Sequence, residues 1–330
     1  MWRRKSGAER VSAMPEQRAN DLLSHVGERL SVRIESEEGH TEDFVGILLP
    51  TGQLETKTGL KSFDPSKVVA WRVVLAPRGT GTPASQRVLE IELASSELWS
   101  GPEHLRTARW LLRAAGGYTR RANSMVPCVP PWESTLWDEN SLDDDIAEAD
   151  RFYQSRSLPT IISLPLPLFD GLASSLYERG WKSHLDLSVM VRISRDKIVT
   201  KNSFTEIQSA TTPSARWITA HGRELGSQGE QVLRSGNPLF LSYSKSEEVV
   251  GIARIGFAQS WSALGAVRVN PDFRRQGIAR ALGECAINSA NERGYPFMFL
   301  QVDCNNHPAI ELYKSLGFTQ HHRNIYLSRE

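Results

Sequence analysis

Cysteine is scarce in this 330-residue chain. Cys128, Cys285 and Cys304 stand far apart and no C-x-x-C pair occurs, which argues against a disulfide framework or a structural zinc site. Net charge is equally scarce. Lys plus Arg number 39 against 38 Asp plus Glu, a balance of +1, so no field of one sign is available to hold nucleic acid or an anionic membrane non-specifically. No apolar run approaches the ~20 residues that would span a bilayer. The opening Met1-Trp2-Arg3-Arg4-Lys5 is basic, but the apolar stretch that a secretory leader needs does not follow it. Met14 offers a second start, and residues 1–20 read as a flexible arm. These absences predict a soluble cytoplasmic protein with no nucleic acid, membrane or metal partner. A homo-oligomer is compatible with the sequence but not specified by it.

Hydrophobic residues make up 40% of the chain and charged ones 23%, enough to build a sizeable core and to exclude a wholly disordered protein. The length exceeds the ~100–200 residues of an ordinary domain. Residues 29–34 (RLSVRI) alternate with the period of a half-buried strand, and 44–49, 54–58 and 68–75 read as further strands separated by turns such as Pro50-Thr51-Gly52. Strands this short and close predict a small SH3-like all-β barrel over residues 21–76. No aromatic row interleaved with Arg and Lys marks it as a nucleic-acid binder, so a structural or docking role is favoured. A Pro/Gly/Thr-rich linker follows over 77–86. Beyond it strands alternate with amphipathic helices, the pattern of an α/β (α+β) sheet built by crossovers.

Two segments of this remainder look alike. A strand at 158–164 runs into a helix ending Leu176-Tyr177-Glu178-Arg179-Gly180-Trp181, then a strand at 185–193. A strand at 295–302 runs into a helix ending Leu312-Tyr313-Lys314-Ser315-Leu316-Gly317-Phe318, then another strand. The repeat reads as a diverged internal duplication. A glycine after a helix is also a common C-cap in its own right, with the aromatic beginning the next strand.

The stretch that carries chemistry is Leu264-Gly265-Ala266-Val267-Arg268-Val269-Asn270-Pro271-Asp272-Phe273-Arg274-Arg275-Gln276-Gly277-Ile278-Ala279-Arg280-Ala281-Leu282. A strand ends at Pro271, a tight turn follows, and a helix with one apolar face begins near Gly277. The first turn of a helix presents unpaired backbone N–H groups and the positive end of its dipole. Gly277 lets an anion approach that backbone, and Arg274, Arg275 and Arg280 add charge, which together make a pyrophosphate cradle.

In this setting of strand, turn, Arg-Arg-x-Gly-x-Ala and amphipathic helix, the sequence resembles the coenzyme A-binding motif of the GNAT acetyltransferase superfamily. Leu300-x-Val302-x-x-x-Asn306-x-x-Ala309-x-x-Leu312-Tyr313-x-x-x-Gly317-Phe318 matches the second half of that pattern. The resemblance implies a GNAT fold over 201–330, preceded by a degenerate GNAT-like stretch over 87–200, with acetyl-CoA as co-substrate. It implies that the strand of Val267 and Val269 splays open to hold the pantetheine arm, with an N–H near Val269 as oxyanion donor. It further implies that Gln276, Gly277, Ile278, Ala279 and Arg280 hold the pyrophosphate through backbone N–H groups, beside Arg274 and Arg275. Asn306 would support the pantetheine end, and Tyr313 would protonate the departing thiolate. Packing on the helix face is the plain alternative for Tyr313.

Many members of the superfamily carry a Glu early on the motif strand as base. Here that place reads Ser262-Ala263-Leu264, so the base is unassigned, with Asp303 and Glu230 as weak candidates. In the earlier stretch the phosphate loop is missing and Leu176 stands where Tyr313 would align. Its Arg120-Arg121-Ala122-Asn123-Ser124 run either lines an acceptor pocket shared with the later copy or is a solvated strand end.

The whole architecture, with 110–124 as its hallmark run, is similar to a group of actinobacterial acetyltransferases that includes corynebacterial-type N-acetylglutamate synthases of arginine biosynthesis. That likeness implies the α-amine of L-glutamate as acceptor. Fixed guanidinium groups suit its two carboxylates, so Arg254, Arg268 and Asn123 are the expected acceptor residues. For the two arginines the solvent-facing side of a strand is the alternative place. Acetylation of protein lysine or another small amine, and a non-catalytic acetyl-CoA sensor, are the rival readings.

Overall fold

The structure is a computed structural model, and it describes residues 29–35, 40–49, 51–56, 59–73, 84–131, 137, 139–193 and 207–329, with Leu22, His25, Asp196 and Ile198 besides. The arm at 1–20 and residues 77–83 of the linker lie outside the described residues; 84–86 already belong to a helix. The chain forms two compact units, Met1–Pro83 and Ala84–Glu330.

In the first unit, β1 (Arg29–Glu35), β2 (Thr41–Leu48), β3 (Leu54–Thr56), β4 (Gly59–Lys61) and β5 (Val68–Val73) form one antiparallel sheet in the order β4-β3-β2-β1-β5. Alternation turns Leu30 and Val32 inward, where they meet Leu22, Leu48, Leu54 and Val68 in a small apolar core.

The second unit is built on one eleven-stranded sheet. In chain order it comprises α1 (Ala84–Leu98), β6 (Glu103–Arg106), β7 (Trp110–Ala114), β8 (Met125–Pro127), α2 (Glu139–Gln154), β9 (Ile161–Leu166), α3 (Asp170–Glu178) and β10 (Lys182–Ile193). It continues with β11 (Ile207–Ala210), α4 (Ala215–His221), α5 (Gly226–Arg234), β12 (Leu239–Lys245), β13 (Glu248–Ala258) and β14 (Trp261–Val269). The last elements are α6 (Ile278–Glu292), β15 (Phe297–Asp303), α7 (His307–Ser315) and β16 (Thr319–Ser328).

The strand order is β11-β12-β13-β14-β15-β10-β16-β9-β8-β7-β6. Segments β9-α3-β10 and β15-α7-β16 share one strand–helix–strand order, and their third strands trade places. β10 lies between β15 and β16, and β16 lies between β10 and β9, all antiparallel. The sequence reading divides this region at residue 200; here the strands of the two stretches interleave in a single sheet.

One face of the sheet is covered by α6 and α7. Ile278, Leu282, Ala286, Ile287 and Ala290 recur at helical spacing along α6 and pack against Ala253, Ile255, Leu264, Met298 and Leu300. Gly251 permits the close approach, since a Cβ there would meet the Ile278 side chain at 2.6 Å. The other face carries α1, whose Ile91, Ala94 and Leu98 cluster with Trp99, Trp261, Ala263 and Phe299. No described helix is long and apolar enough to cross a membrane.

Candidate active site

β14 and β15 are joined by a crossover through α6, so they run parallel. Their pairing lasts only from Trp261↔Phe297 to Ala263↔Phe299. Beyond Ala263 the strands part, and a cleft of about 1230 Å³ opens between Leu264–Val269 on one side and Leu300–Asp303 on the other. On the opposite edge of β14 the pairing with β13 is irregular between Ile252 and Arg254, where Ala266 takes φ +51°. Such a bulge bends the strand and re-aims its residues, here Val267–Val269, which line the cleft.

At the foot of the cleft β14 gives way to Asn270, whose side chain accepts the Asp272 N–H and so shapes the turn at Pro271–Phe273. Arg275 (φ +62°) and Gly277 (φ +83°) both adopt left-handed backbone, costly for the arginine and cheap for the glycine. The first inward bond of α6 runs from the Ala281 N–H to the Gly277 carbonyl. Among the described residues the N–H groups of Arg275, Gln276, Gly277, Ile278, Ala279 and Arg280 donate to no other backbone group. The αL turn and the helix N-terminus thus gather a run of unpaired donors, a nest for an anion. Arg274, Arg275 and Arg280 line the same end of the cleft. Arg274 Nε reaches the Val269 carbonyl at 3.3 Å, and Arg280 Nη2 donates to Ser315 Oγ at 2.7 Å, tying α6 to α7. Gln276 is exposed and enters only through its backbone.

In the middle of the cleft the Asn270 N–H donates to the Val250 carbonyl of β13 at 2.8 Å. Strand alternation therefore turns the Val269 N–H the other way, toward the cleft. Asn306 lines the cleft and caps α7, accepting the Ala309 N–H at 3.3 Å. Tyr313, in the last turn of α7, lines the cleft while 9% exposed, and burial pushes its hydroxyl up to about 12.

The opposite end is walled by Trp99, Arg121 and Gln301, and Arg268 also lines the cleft. Trp99 lies on Gly265, where a Cβ would come within 2.5 Å of the indole. Arg121 is carried on the 3-10 turn at Arg120–Ala122; its Nε donates to Gln301 Oε1, its Nη2 to the Gln301 carbonyl at 3.4 Å, and it lies 5.6 Å from the Trp99 ring centre. Arg268 Nη1 donates to the His221 carbonyl at 2.7 Å.

Two expected acceptor residues are placed elsewhere, and both expectations are corrected. Arg254 is fully buried and does not line the cleft. Its guanidinium donates to the carbonyls of Leu233 (2.8 Å), Leu98 (2.9 Å) and Ser235, holding the ends of α1 and α5 together. Burial pulls its pKa down to about 9. Asn123, 4% exposed, accepts the N–H groups of Ala115 (2.8 Å) and Gly117 (3.0 Å) and donates to the Thr119 carbonyl (2.8 Å), so its side chain is spent on its own loop. Of the two candidate bases, Glu230 pairs with Arg234 on exposed α5, while Asp303 lines the cleft and accepts the Asn305 N–H at 2.8 Å. Among the described residues no group of three His, Cys, Asp or Glu side chains could hold a metal ion.

Residues 85–327 match the family model described as "Probable histone acetyltransferase Rv0428c C-terminal". The chain belongs to this family. Over 319 residues it is 28% identical to the probable histone acetyltransferase Rv0428c of Mycobacterium tuberculosis, covering 92% of this chain and 95% of that one. It is also 28% identical over 258 residues to the N-acetyltransferase YobR of Bacillus subtilis, covering 72% and 98%. A GCN5-related N-acetyltransferase from Kribbella flavida superposes with a TM-score of 0.58 at 15% identity, over 73% of this chain and 95% of that one. The chain is thus a GNAT-family acetyltransferase in fold and kinship.

For this GNAT-family chain the motif strand and phosphate turn were visible in local sequence, because a single strand–turn–helix makes them. Trp99, Gln301 and the part played by Glu92 behind Gln301 were not singled out. They meet only through the interleaving of β10, β15 and β16, which brings α1 onto β15 from some two hundred residues away in the chain. Arg121 stood within the Arg120–Ser124 run, and it reaches the cleft while Asn123 does not.

Proposed function

We propose that this protein transfers acetyl from acetyl-CoA to a primary amine by direct attack, and that the acceptor is a small anionic amine, with the α-amine of L-glutamate first. The observation that carries the reading is the run of unpaired N–H groups from Arg275 to Arg280 at the foot of a cleft that also holds Tyr313. The residues fit the donor substrate: a nest and three arginines for its diphosphate, an opened strand edge for its amide arm, and Tyr313 beyond.

The Val269 N–H donates to the carbonyl oxygen as negative charge builds on it. The amine nitrogen forms a bond to the acetyl carbon, the carbon–sulfur bond breaks, and its electron pair leaves on sulfur. Tyr313, protonated at neutral pH as any tyrosine is and held so further up the pH scale by burial, gives its proton to that sulfur. β14 offers no carboxylate at Ser262, Ala263 or Leu264, so the acceptor's proton goes to water or to Asp303.

Arg121 over Trp99, and Arg268 elsewhere on the cleft lining, support an acceptor with a carboxylate. The name of the Mycobacterium tuberculosis relative supports the second reading, a protein lysine acceptor. In both readings we take residues 87–200 as a diverged copy of 201–330 without coenzyme chemistry, and the sheet of the first unit as an SH3-like barrel for docking.

The test is release of free thiol from acetyl-CoA with L-glutamate, other amino acids, polyamines and a lysine peptide. Glutamate-dependent release is expected. Release with the peptide alone overturns the acceptor, and no release above the blank with any amine overturns acetyl transfer.

A further inference from the structure

Behind the acceptor end of the cleft lies a carboxylate with no direct arginine partner. Glu92 of α1 is 3% exposed. Its Oε1 lies 3.0 Å from His322 Nε2 and 3.4 Å from Gln301 Nε2, and its Oε2 accepts Asn324 Nδ2 at 2.6 Å. Behind these, His322 Nδ1 meets His321 Nδ1 at 2.9 Å, and Ser163 Oγ donates to Asn324 Oδ1 at 2.9 Å. Burying a carboxylate is expensive; one turn away on α1 lie Val88 and Leu89 on one side and the buried Ser95 and Ser96 on the other. A leucine at position 92 would avoid the cost of desolvating a charge but would leave Gln301 Nε2 and Asn324 Nδ2 without their acceptor. The carboxylate therefore calls for a role that a packed apolar side chain does not fill.

The role lies in Gln301. A side-chain amide has one accepting and one donating end, and Gln301 stands between a guanidinium, which only donates, and a carboxylate, which only accepts. One orientation satisfies both: Oε1 to Arg121 and Nε2 to Glu92. Arg121 is thereby held by its Nε edge against β15, while its Nη1 makes no hydrogen bond to the described residues.

We infer that Glu92 is a positioning residue for the acceptor. Acting through Gln301, it holds Arg121 with donors turned into the cleft, and so makes that end a subsite for a carboxylate. This deepens the acceptor reading above and rests on it. The guanidinium that takes the carboxylate then comes from the stretch that lacks a phosphate loop, and the donor-binding side chains from the stretch that has it.

The test is titration calorimetry of the full-length protein saturated with coenzyme A, using glutarate as probe. Glutarate carries two carboxylates but no amine, so it is not acetylated. Wild type is expected to bind it and Arg121→Met to lose it. Glu92→Gln puts an NH2 where two acceptor oxygens are needed and should weaken glutarate about 10-fold, the worth of one hydrogen bond to a charged group. Coenzyme A affinity should stay unchanged, and Glu92→Gln should add nothing in the Arg121→Met background. Gln301→Met, at a half-buried position, carries the same expectation should Glu92→Gln not fold. The inference is overturned if wild type takes up no glutarate. It is also overturned if the folded Glu92 or Gln301 variant binds glutarate as wild type does, or if the two losses add independently of Arg121. Thiol release from neutral amines without glutarate binding sinks this inference alone. Arg121-dependent glutarate binding without thiol release from any amine sinks only acetyl transfer.

Discussion

The guanidinium of Arg254 lies 4.4 Å from the centre of the Trp99 ring, and that same ring forms a wall of the cleft. Arg254 thus bears on the acceptor end without reaching it. It fixes the carbonyls that end α1 and α5 and supports the indole, which rests on Gly265. A charged residue inside an apolar strand called for an explanation, and a bound substrate was the wrong one. Three backbone carbonyls at the ends of two helices, all turned inward, are what the charge answers.

Replacing Arg254 by Met should therefore act first on stability. It removes the Arg254 donors from the Leu233 and Ser235 carbonyls and leaves that of Leu98 to Ser235 Oγ, and the loss should be about 3–5 kcal/mol, as for other broken buried polar networks. Urea unfolding measures it. Lys in its place should not restore stability, because an ammonium lacks the planar fork that spans several acceptors. Full stability in Arg254→Met would show that the Leu233 and Ser235 carbonyls find other donors.

Gly277 is required by its backbone, at φ +83° in the turn that opens the N–H nest. Valine there is strained by about 1–2 kcal/mol and puts a branched side chain at the anion's place. Coenzyme A affinity should fall at least about 10-fold by calorimetry, the worth of one displaced hydrogen bond to a charged group. Thermal stability should fall far less than in Arg254→Met. Unchanged affinity for coenzyme A would remove the nest from the mechanism.

What the sequence made legible follows from the range of the interactions. The strand at 261–269, the turn at Pro271 and the α6 face are set within about twenty residues by periodicity, a proline and a glycine, and they stood out. The Trp99 end of the cleft depends on contacts such as Gln301 to Glu92 and Arg121 to Gln301, separated by 209 and 180 residues. No local pattern encodes those. Arg254 shows the converse difficulty: its place on the strand was read correctly, but alternation alone does not tell a cleft from a buried helix junction. The exchange of β10 and β16 was also hidden, since a strand's pairing partners leave little trace in its own composition.

Acid should weaken the fold through two histidines. Burial, with Arg223 and Arg268 nearby, pulls His221 down to about 4, and burial, with His322 and Arg87, pulls His321 to about 4. Both are neutral in the folded chain at pH values where the unfolded chain takes up their protons. Their contribution is fully present above about pH 6.5 and is lost as pH falls through about 4. The urea midpoint should drop steadily across that window. His321→Gln should flatten the drop, and an equally steep drop in that variant would assign the effect to other groups.

Tyr313 gives the sharpest test of the chemistry. Its hydroxyl, pushed up to about 12 by burial, stays protonated through the whole range in which the protein is handled, as a proton donor to a thiolate must. Phenylalanine keeps the ring that packs 6.0 Å from Phe318 and removes only the donor. Turnover in Tyr313→Phe should fall about 10²–10⁴-fold, the range for a lost general acid, with the coenzyme A dissociation constant nearly unchanged. Wild-type turnover should show no decline attributable to Tyr313 below about pH 11, since the acid form persists to its raised pKa. Tyr313→Phe should recover partly with a donor analogue whose thiol leaves as a weaker base, because such a group needs less help from a proton. A variant slowed equally with both donors would mean that the hydroxyl does not protonate the sulfur and that Tyr313 serves the core alone.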